Sequence, residues 1–493
     1  MDIARHDPSR PNKNRWANAW QVARVGLAAL IFWACGPVQA ATDAAGRGTL
    51  TVDECVEIAL QRSADIKKAE AKVQRFAGVL AEVESIFYPK LFGLGFVAPM
   101  YTIRGNINDF EARWRQPRYW GPYAHFEAVL AQPLYTFGRA EAGAEAAAQR
   151  LRVAKARVRE AKNLVAREVR RLYYSHLYAR SLVPSLQFAV KTVNGALEKA
   201  NEMFAAATGE VTQTDLNKLK FGRSQARSFL REARDGAALA LAALKHTMGL
   251  PETAAVELAD SRLSRLPDDD YALANLLVEA SRRRPEWAQV EHGSKAAIAL
   301  EEAQKLANMP ILFVGGQIAA NWAPTTQNTV NPYHRDRYND VFGGVAVGLQ
   351  FSLDPARAHA KAEQARALQA EMEALRQFAQ TGIPLQVRKA YQELERARDL
   401  VEYAKTGEKA ARKWMTFAAT NYGSGLGEAK ELLEGLLAYV NSKRSRYDNL
   451  RNYYLARAEL YYAIGRTYDN AADAPDTAAG AKQVLHPAEI DQK

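Results

Sequence analysis

The chain has 493 residues, 48% apolar and 25% charged, with 30 Gly, 19 Pro and 2 Cys. That is the composition of a folded protein and excludes a disordered or collagen-like one. Lys and Arg number 66 against 55 Asp and Glu, a surplus that alone would point to nucleic acid or an acidic membrane surface.

The N-terminus removes the nucleic-acid reading. Residues 1–24 carry Arg5, Arg10, Lys13, Arg15 and Arg24 against Asp2 and Asp7, and an unbroken apolar run follows from Val25 to Ala34. The run is too short to span a bilayer, and Val38-Gln39-Ala40 supplies the small residues of a signal-peptidase site. Cleavage after Ala40 is expected, with residues 1–40 as an export signal. Its removal takes five basic and two acidic side chains, so 66 and 55 become 61 and 53. Cys35 offers another outcome, acylation as the first mature residue, although Phe32-Trp33-Ala34 places bulky aromatics where a lipobox has small or aliphatic ones. With Cys35 gone, Cys55 is the only thiol and no internal disulfide forms.

The first unit, residues 41–260, opens with helical spacing over 51–86, where Thr51 and Asp53 are candidate caps and Pro89 is the stop. A strand of bilayer-spanning length follows at 90–104, then a polar, aromatic loop with Trp114 and Trp120, then a second strand at 121–136. Residues 138–208 read as one helix of roughly 100 Å. Leu151, Val158, Val165 and Leu172 recur every seven residues along it as a narrow coiled-coil stripe. Pro184 should bend this helix without ending it. A return helix is expected over 213–249.

The second unit, 261–469, repeats the first. Arg282-Arg283-Arg284 reads as an exposed helix end before Pro285. Strands follow at 311–322 and 342–353, then a long helix at 356–422 through Gly382-Ile383-Pro384, and a return helix at 428–465. A mobile tail, 470–493, closes the chain. Ala59, Asp65 and Pro89 align with Ala280, Glu286 and Pro310 at an offset of 221; Gln132, Arg139, Val169 and Tyr173 align with Gln350, Arg357, Val387 and Tyr391 at 218; Gly209, Leu216 and Gly249 align with Gly425, Leu432 and Gly465 at 216. Constant offsets separated by small deletions mark a tandem duplication.

Strand alternation is uneven. Leu312, Val314, Ile318 and Trp322 share one face against Gln317 and Asn321, and Phe126 and Leu130 oppose His125 and Glu127. The repeat alignment nevertheless sets Val345 opposite Glu127, so outward parity flips between the copies. Trp114, Trp120 and Trp322 sit where membrane-interface aromatics belong.

These features, in order, resemble the TolC-like outer membrane efflux proteins of Gram-negative bacteria. The matching pieces are Leu50-Thr51-Val52-Asp53-Glu54-Cys55-Val56-Glu57-Ile58-Ala59-Leu60, the Pro89 strand start, Gln132-Pro133-Leu134-Tyr135-Thr136-Phe137-Gly138-Arg139, and the turn from Gly209 to Leu216 with its copy from Gly425 to Leu432. The resemblance implies a mixed α and β fold: a long antiparallel α-helical coiled-coil tunnel, plus four membrane β-strands per protomer in a homotrimeric, twelve-stranded β-barrel. Four strands cannot close alone, and lipid does not tolerate an open edge. The family also implies an exit duct of a tripartite efflux or type I secretion system in the outer membrane, reaching into the periplasm, with a periplasmic adaptor protein and an inner-membrane pump as partners. Its constriction falls on Glu431 and Glu434, and its tip latch on Asp215 and Tyr422. Its adaptor-docking turns fall on Gly209, Glu210, Val211, Thr212, Gly425, Leu426 and Gly427. Gly427 stands where the best-known member has a basic residue that completes the latch.

No enzyme constellation is present. The eight histidines lack metal-ligand spacing, no nucleophile elbow or paired cysteines occur, and Gly423-Ser424-Gly425-Leu426-Gly427 lacks the Lys-Ser or Lys-Thr of a phosphate loop. Neither metal nor cofactor is expected. Tyr173, Tyr174 and Tyr178, at helical spacing, read as packing residues. The rival reading is a non-conducting periplasmic coiled-coil or adaptor-like protein, lipid-anchored at Cys35 or soluble.

Overall fold

The structure, a computed structural model, describes residues 49–101, 120–206, 211–264, 271–326, 333 and 335–466. The export signal, Trp114, Gly209, Glu210 and the tail lie outside the described residues.

Each repeat opens with two short helices broken at one residue. Thr51 starts α1 (Val52–Arg62) with a reciprocal cap: the Glu54 N–H donates to its hydroxyl at 3.3 Å, and its own N–H donates to the Glu54 carboxylate at 2.7 Å. Ser63, extended at ψ 132°, separates α1 from α2 (Ala64–Glu84), and a 3-10 turn over Ser85–Phe87 leads to β1 (Lys90–Tyr101). Then come β2 (Trp120–Tyr135), α3 (Arg139–Ala205) and α4 (Gln213–Thr247). The second repeat supplies α5 (Leu273–Arg283), a break at Arg284 with ψ 122°, α6 (Pro285–Lys305) and a 3-10 turn over Leu306–Asn308. It continues with β3 (Ile311–Trp322), β4 (Asp340–Gln350), α7 (Pro355–Gly423) and α8 (Ala429–Ile464). β4 begins two residues earlier than the sequence suggested and stops short of 351–353, which connect to the Asp354 cap of α7.

α3 and α7 contain 67 and 69 residues and run on through Pro184 and Pro384; each is about 100 Å long. Each packs along its return helix, α4 or α8. α6 lies between α3 and α7, and α8 also contacts α3. Small residues let these helices approach, and a core of Val56, Val169, Tyr173, Leu177, Leu244, Val387, Leu394, Leu460 and Ile464 joins both repeats. The tyrosines pack: Tyr174 stacks on Tyr454 with ring centroids 4.1 Å apart, and Tyr173 Oη donates to Asp260 at 2.8 Å.

Arg284 departs from its expected exposure. It is 6% exposed and donates to the Tyr462 and Ala463 carbonyls at the end of α8, to Gln386, and to Glu286 at 3.0 Å. The break at Arg284 turns this side chain inward, where it caps α8. Arg283 instead pairs with Glu279 at 2.9 Å.

The strands form one antiparallel sheet ordered β1-β2-β3-β4. Paired residues share a face, so the register divides the sheet cleanly. One face carries Leu91, Val97, Tyr101, Trp120, Phe126, Leu130, Ile318, Trp322, Val341, Val345, Val347 and Leu349, all exposed. Every charged side chain of the four strands, Lys90, Glu127 and Asp340, lies on the other face, together with His125. There Tyr123 Oη donates to Asn321 at 2.8 Å and Gln317 donates to Glu127 at 2.5 Å. Phe92, Phe96, Phe313 and Phe342 share this second face, so it is mixed, whereas the first is apolar except for Gln132 at its helix-side end. The parity flip between the copies has a local cause. The register with β3 shifts between Pro133 and Tyr135, inserting one extra residue into β2. Such a bulge reverses every side chain beyond it. Tyr101 and Trp120 meet with centroids 4.0 Å apart at the loop end of the apolar face, and Trp322 ends β3 on that same face.

Candidate channel gate at the helical tip

At the end remote from the sheet, α3 turns into α4 and α7 into α8. Thr212 caps α4 much as Thr51 caps α1. Its hydroxyl donates to Asp215 Oδ2 at 2.6 Å, and the Asp215 N–H donates back to it at 3.2 Å. The Thr212 hydroxyl holds the Asp215 carboxyl below its usual range, and Lys218 lies 3.3 Å away. Val211 is half-buried and packs on the tip core.

In the second turn Gly425 takes a left-handed φ of 79°. The Gly425 N–H donates to the Tyr422 carbonyl at 3.2 Å, while the Leu426 and Gly427 N–H groups converge on the Asn421 carbonyl at 2.9 and 3.1 Å. A Cβ on Gly427 would lie 3.0 Å from the Tyr422 backbone N, so a glycine keeps this turn tight. Leu426 projects into solvent, 86% exposed.

Ala196, Leu197, Ala200, Leu216, Leu219, Tyr422, Ala429 and Leu432 form a buried cluster that brings all four long helices together at the tip. Tyr422 is not bonded to Asp215. Its hydroxyl donates to the Ala196 carbonyl of α3 at 3.3 Å, and burial, then the charge of nearby Asp215, pushes its pKa up. A second tie was not foreseen from the sequence: Lys199 Nζ of α3 donates to the Gly423 carbonyl at 2.5 Å. A cation on the last carbonyls of α7 also complements the helix dipole. Tyr422 and Lys199 thus fasten the end of α7 to α3. Removing both as Y422F/K199A is expected to speed amide hydrogen exchange at the end of α7 severalfold, with one neutral and one charge-assisted bond lost, about 1 and 2 kcal/mol; unchanged exchange would show that these ties do not hold the tip.

Glu431 and Glu434 are exposed, one turn apart on α8, with Lys430 Nζ 4.0 Å from Glu434. Farther along α8, Asn441, Ser445 and Asp448 edge a groove of about 630 Å³ between α8 and the α3–α4 hairpin, whose α8 wall also carries Lys443, Arg444 and Arg451. Among the described residues, no cluster of His, Cys, Asp and Glu could hold a metal ion.

No protein-family profile matches the chain, and no curated protein matches it in sequence. Solved structures match its fold. The CmeC outer membrane channel of Campylobacter jejuni superposes with a TM-score of 0.69 at 15% identity, covering 84% of this chain and 85% of that one. The outer membrane protein VceC of Vibrio cholerae gives 0.64 at 14%, covering 84% and 96%. The open-state MtrE outer membrane channel of Neisseria gonorrhoeae gives 0.62 at 16%, covering 84% and 89%. The chain thus has the fold of the TolC-like channels that its sequence resembles, helices and sheet together.

Proposed function

We propose that this chain is the protomer of an outer-membrane channel-tunnel, a passive exit duct that reaches into the periplasm and serves an efflux or type I secretion system. The observation that carries this reading is the sheet: one face apolar but for Gln132, all charge on the other, both end strands unpaired on their outer sides among the described residues, and the whole joined to helices of about 100 Å. An apolar band eleven residues tall from Leu91 to Tyr101, tilted as barrel strands are, spans about 25 Å. An open edge is not stable in lipid, so three copies closing a twelve-stranded barrel satisfy it. Trp120 and Trp322 then anchor the outer interface.

In the trimer Glu431 and Glu434 form stacked carboxylate rings at the tip, favouring cations. Asp215 and Tyr422 belong to the closed tip. The turns at Val211 and Thr212 and at Gly425, Leu426 and Gly427 face the periplasmic adaptor, with exposed Leu426 as an apolar contact. The protein performs no catalysis; the inner-membrane pump supplies the energy. The double variant E431Q/E434Q, recorded in planar bilayers under a salt gradient, is expected to lose severalfold in cation-over-anion preference. Unaltered selectivity would remove the rings from the pore.

A further inference from the structure

The mixed face of the sheet holds a histidine, the side-chain type that changes charge between about pH 5 and 8. His125 of β2 lies opposite Phe96 of β1 and Asn321 of β3. Its Nδ1 is 2.8 Å from Asn321 Oδ1, which also accepts from the Tyr123 hydroxyl at 2.8 Å. An amide oxygen only accepts, so Nδ1 carries the ring proton. In the neutral ring Nε2 is then a bare acceptor, 3.7 Å from Glu127 Oε2. Protonation turns that same nitrogen into a donor aimed at a carboxylate. Phe96 packs on the imidazole with centroids 5.1 Å apart, and Gln317 holds the other Glu127 oxygen at 2.5 Å, so the pair keeps this orientation.

The surroundings leave the charge of this pair unbalanced. β1 sets Leu94 opposite Glu127, and its Lys90 lies four residues away, about 13 Å along the strand. β3 presents uncharged Gln317, Ala319 and Asn321. Beyond it, Asp340 of β4 is bonded to Arg335, whose guanidinium lies 3.6 Å from the centre of the Phe342 ring. Tyr338 packs edge-on against Tyr123. The repeat offset of 218 aligns His125 and Glu127 with Gly343 and Val345, so the second repeat carries no copy of the pair.

We infer that His125 and Glu127 form a second ion-selectivity site, in the barrel and apart from the tip. Glu127 is its cation-attracting group, and His125 masks that charge in acid. The site presupposes the channel reading, in which this face lines the lumen and three copies set three such pairs at one height. Above the imidazole range each pair carries one negative charge; below it the imidazolium cancels that charge. Cation preference in the barrel therefore falls as pH falls, in a window above the ordinary carboxylate value of about 4.3.

The test is the reversal potential of the assembled mature protein in a potassium chloride gradient, with E431Q/E434Q present to remove the tip carboxylates. Dilute salt is needed, because at 0.1 M screening already limits the field to about 10 Å. From about pH 8 to pH 5 the cation-over-anion preference is expected to fall about twofold or more. H125N, whose amide keeps a donor for Asn321, should hold the high-pH preference throughout; should it not assemble, H125Q carries the same expectation. E127Q should lower the preference in alkali and move the midpoint to lower pH, because the imidazolium loses its neighbouring anion. That shift separates the pair from a histidine titrating alone. A pH profile in H125N like that of its parent, or an unmoved midpoint in E127Q, overturns the site while the conducting channel stands. Absence of current in every form overturns the channel reading and this site with it.

Discussion

Replacing Gly465 by alanine is expected to destabilise the assembled protein by about 2–4 kcal/mol, and replacing Gly249 to do the same. Both glycines end a return helix in the left-handed region, at φ 77° and 68°. Each closes a Schellman turn: the Arg466 N–H donates to the Tyr461 carbonyl at 2.8 Å and the Leu250 N–H to that of Lys245 at 2.9 Å. An L residue pays about 1–2 kcal/mol for this conformation. Space adds a second penalty. A Cβ on Gly465 would lie 2.9 Å from the Arg283 carbonyl carbon, and one on Gly249 2.6 Å from the Arg62 carbonyl oxygen. Arg62 and Arg283 are themselves repeat equivalents beside the breaks at Ser63 and Arg284, so both copies make the same backbone-to-backbone approach. Backbone cannot rotate away as a side chain can. Gly425 provides the control: its φ is 79°, but nothing lies within 4 Å of its Cβ position. G425A should therefore lose only the conformational part, about 1–2 kcal/mol. Thermal melting of the three variants should rank them so. Equal losses would mean that the approach to Arg62 and Arg283 costs nothing.

The second large effect lies in the α7–α8 seam. Val387, Leu394, Val401, Met415 and Tyr422 recur every seven residues along α7 and are buried, and Glu408 occupies the same phase at 3% exposure. Opposite, Lys443 stands in phase with Leu436 and Leu450. Glu408 accepts from Lys443 at 2.9 Å, from Arg446 at 2.6 Å and from Arg412 at 3.1 Å. Burial pushes the Glu408 carboxyl up, but the bonds from Arg446 and Lys443 outweigh this and hold it below the usual range. E408L would leave Lys443 in the seam without its counter-charge, a loss of about 3 kcal/mol, since the more exposed Arg412 and Arg446 can turn to water. E408L/K443L should recover most of that loss, because a wholly apolar layer is as stable as a buried ion pair. What the double variant should lose is unique register, the attested role of a polar layer in a coiled coil. A single variant no less stable than wild type, or a double variant no better than the single, would contradict this. The sign with pH follows from the lowered pKa. The contribution is full above the ordinary carboxylate value near 4.3 and is lost as pH falls through the folded value. The stability gap between wild type and E408L should therefore be constant from neutrality to about pH 5 and close only in stronger acid.

Particular residues show what the sequence made legible. The duplication, the heptads of α3 and the strand pairs were readable because their signals are periodic, and periodicity is local. Gly249 and Gly465 stood out as repeat partners, but the carbonyls they approach belong to residues 187 and 182 positions away, so only the fold supplies the reason. The bulge at Pro133–Tyr135 is silent because Leu134 continues the apolar run, and the parity flip was its only trace. Glu408 could have been found as the one acid in an otherwise apolar heptad. Lys199 could not, being a single lysine whose acceptor is a backbone carbonyl 224 residues on. Arg284 reads as solvent-facing within an arginine run, and only the extended break at that residue turns it inward. At the tip the glycine turn at Gly425 was legible, whereas the bonds of Tyr422 and Asp215 depend on which neighbours the four-helix cluster presents.

The most direct test of the channel-tunnel reading is single-channel conductance of the purified mature chain in planar bilayers, with reversal potentials measured under a salt gradient. Discrete steps from a trimeric species, with reversal potentials on the cation side, are the predicted result. A folded, membrane-inserted trimer that passes no current, even with the Tyr422 and Lys199 ties removed, would contradict it.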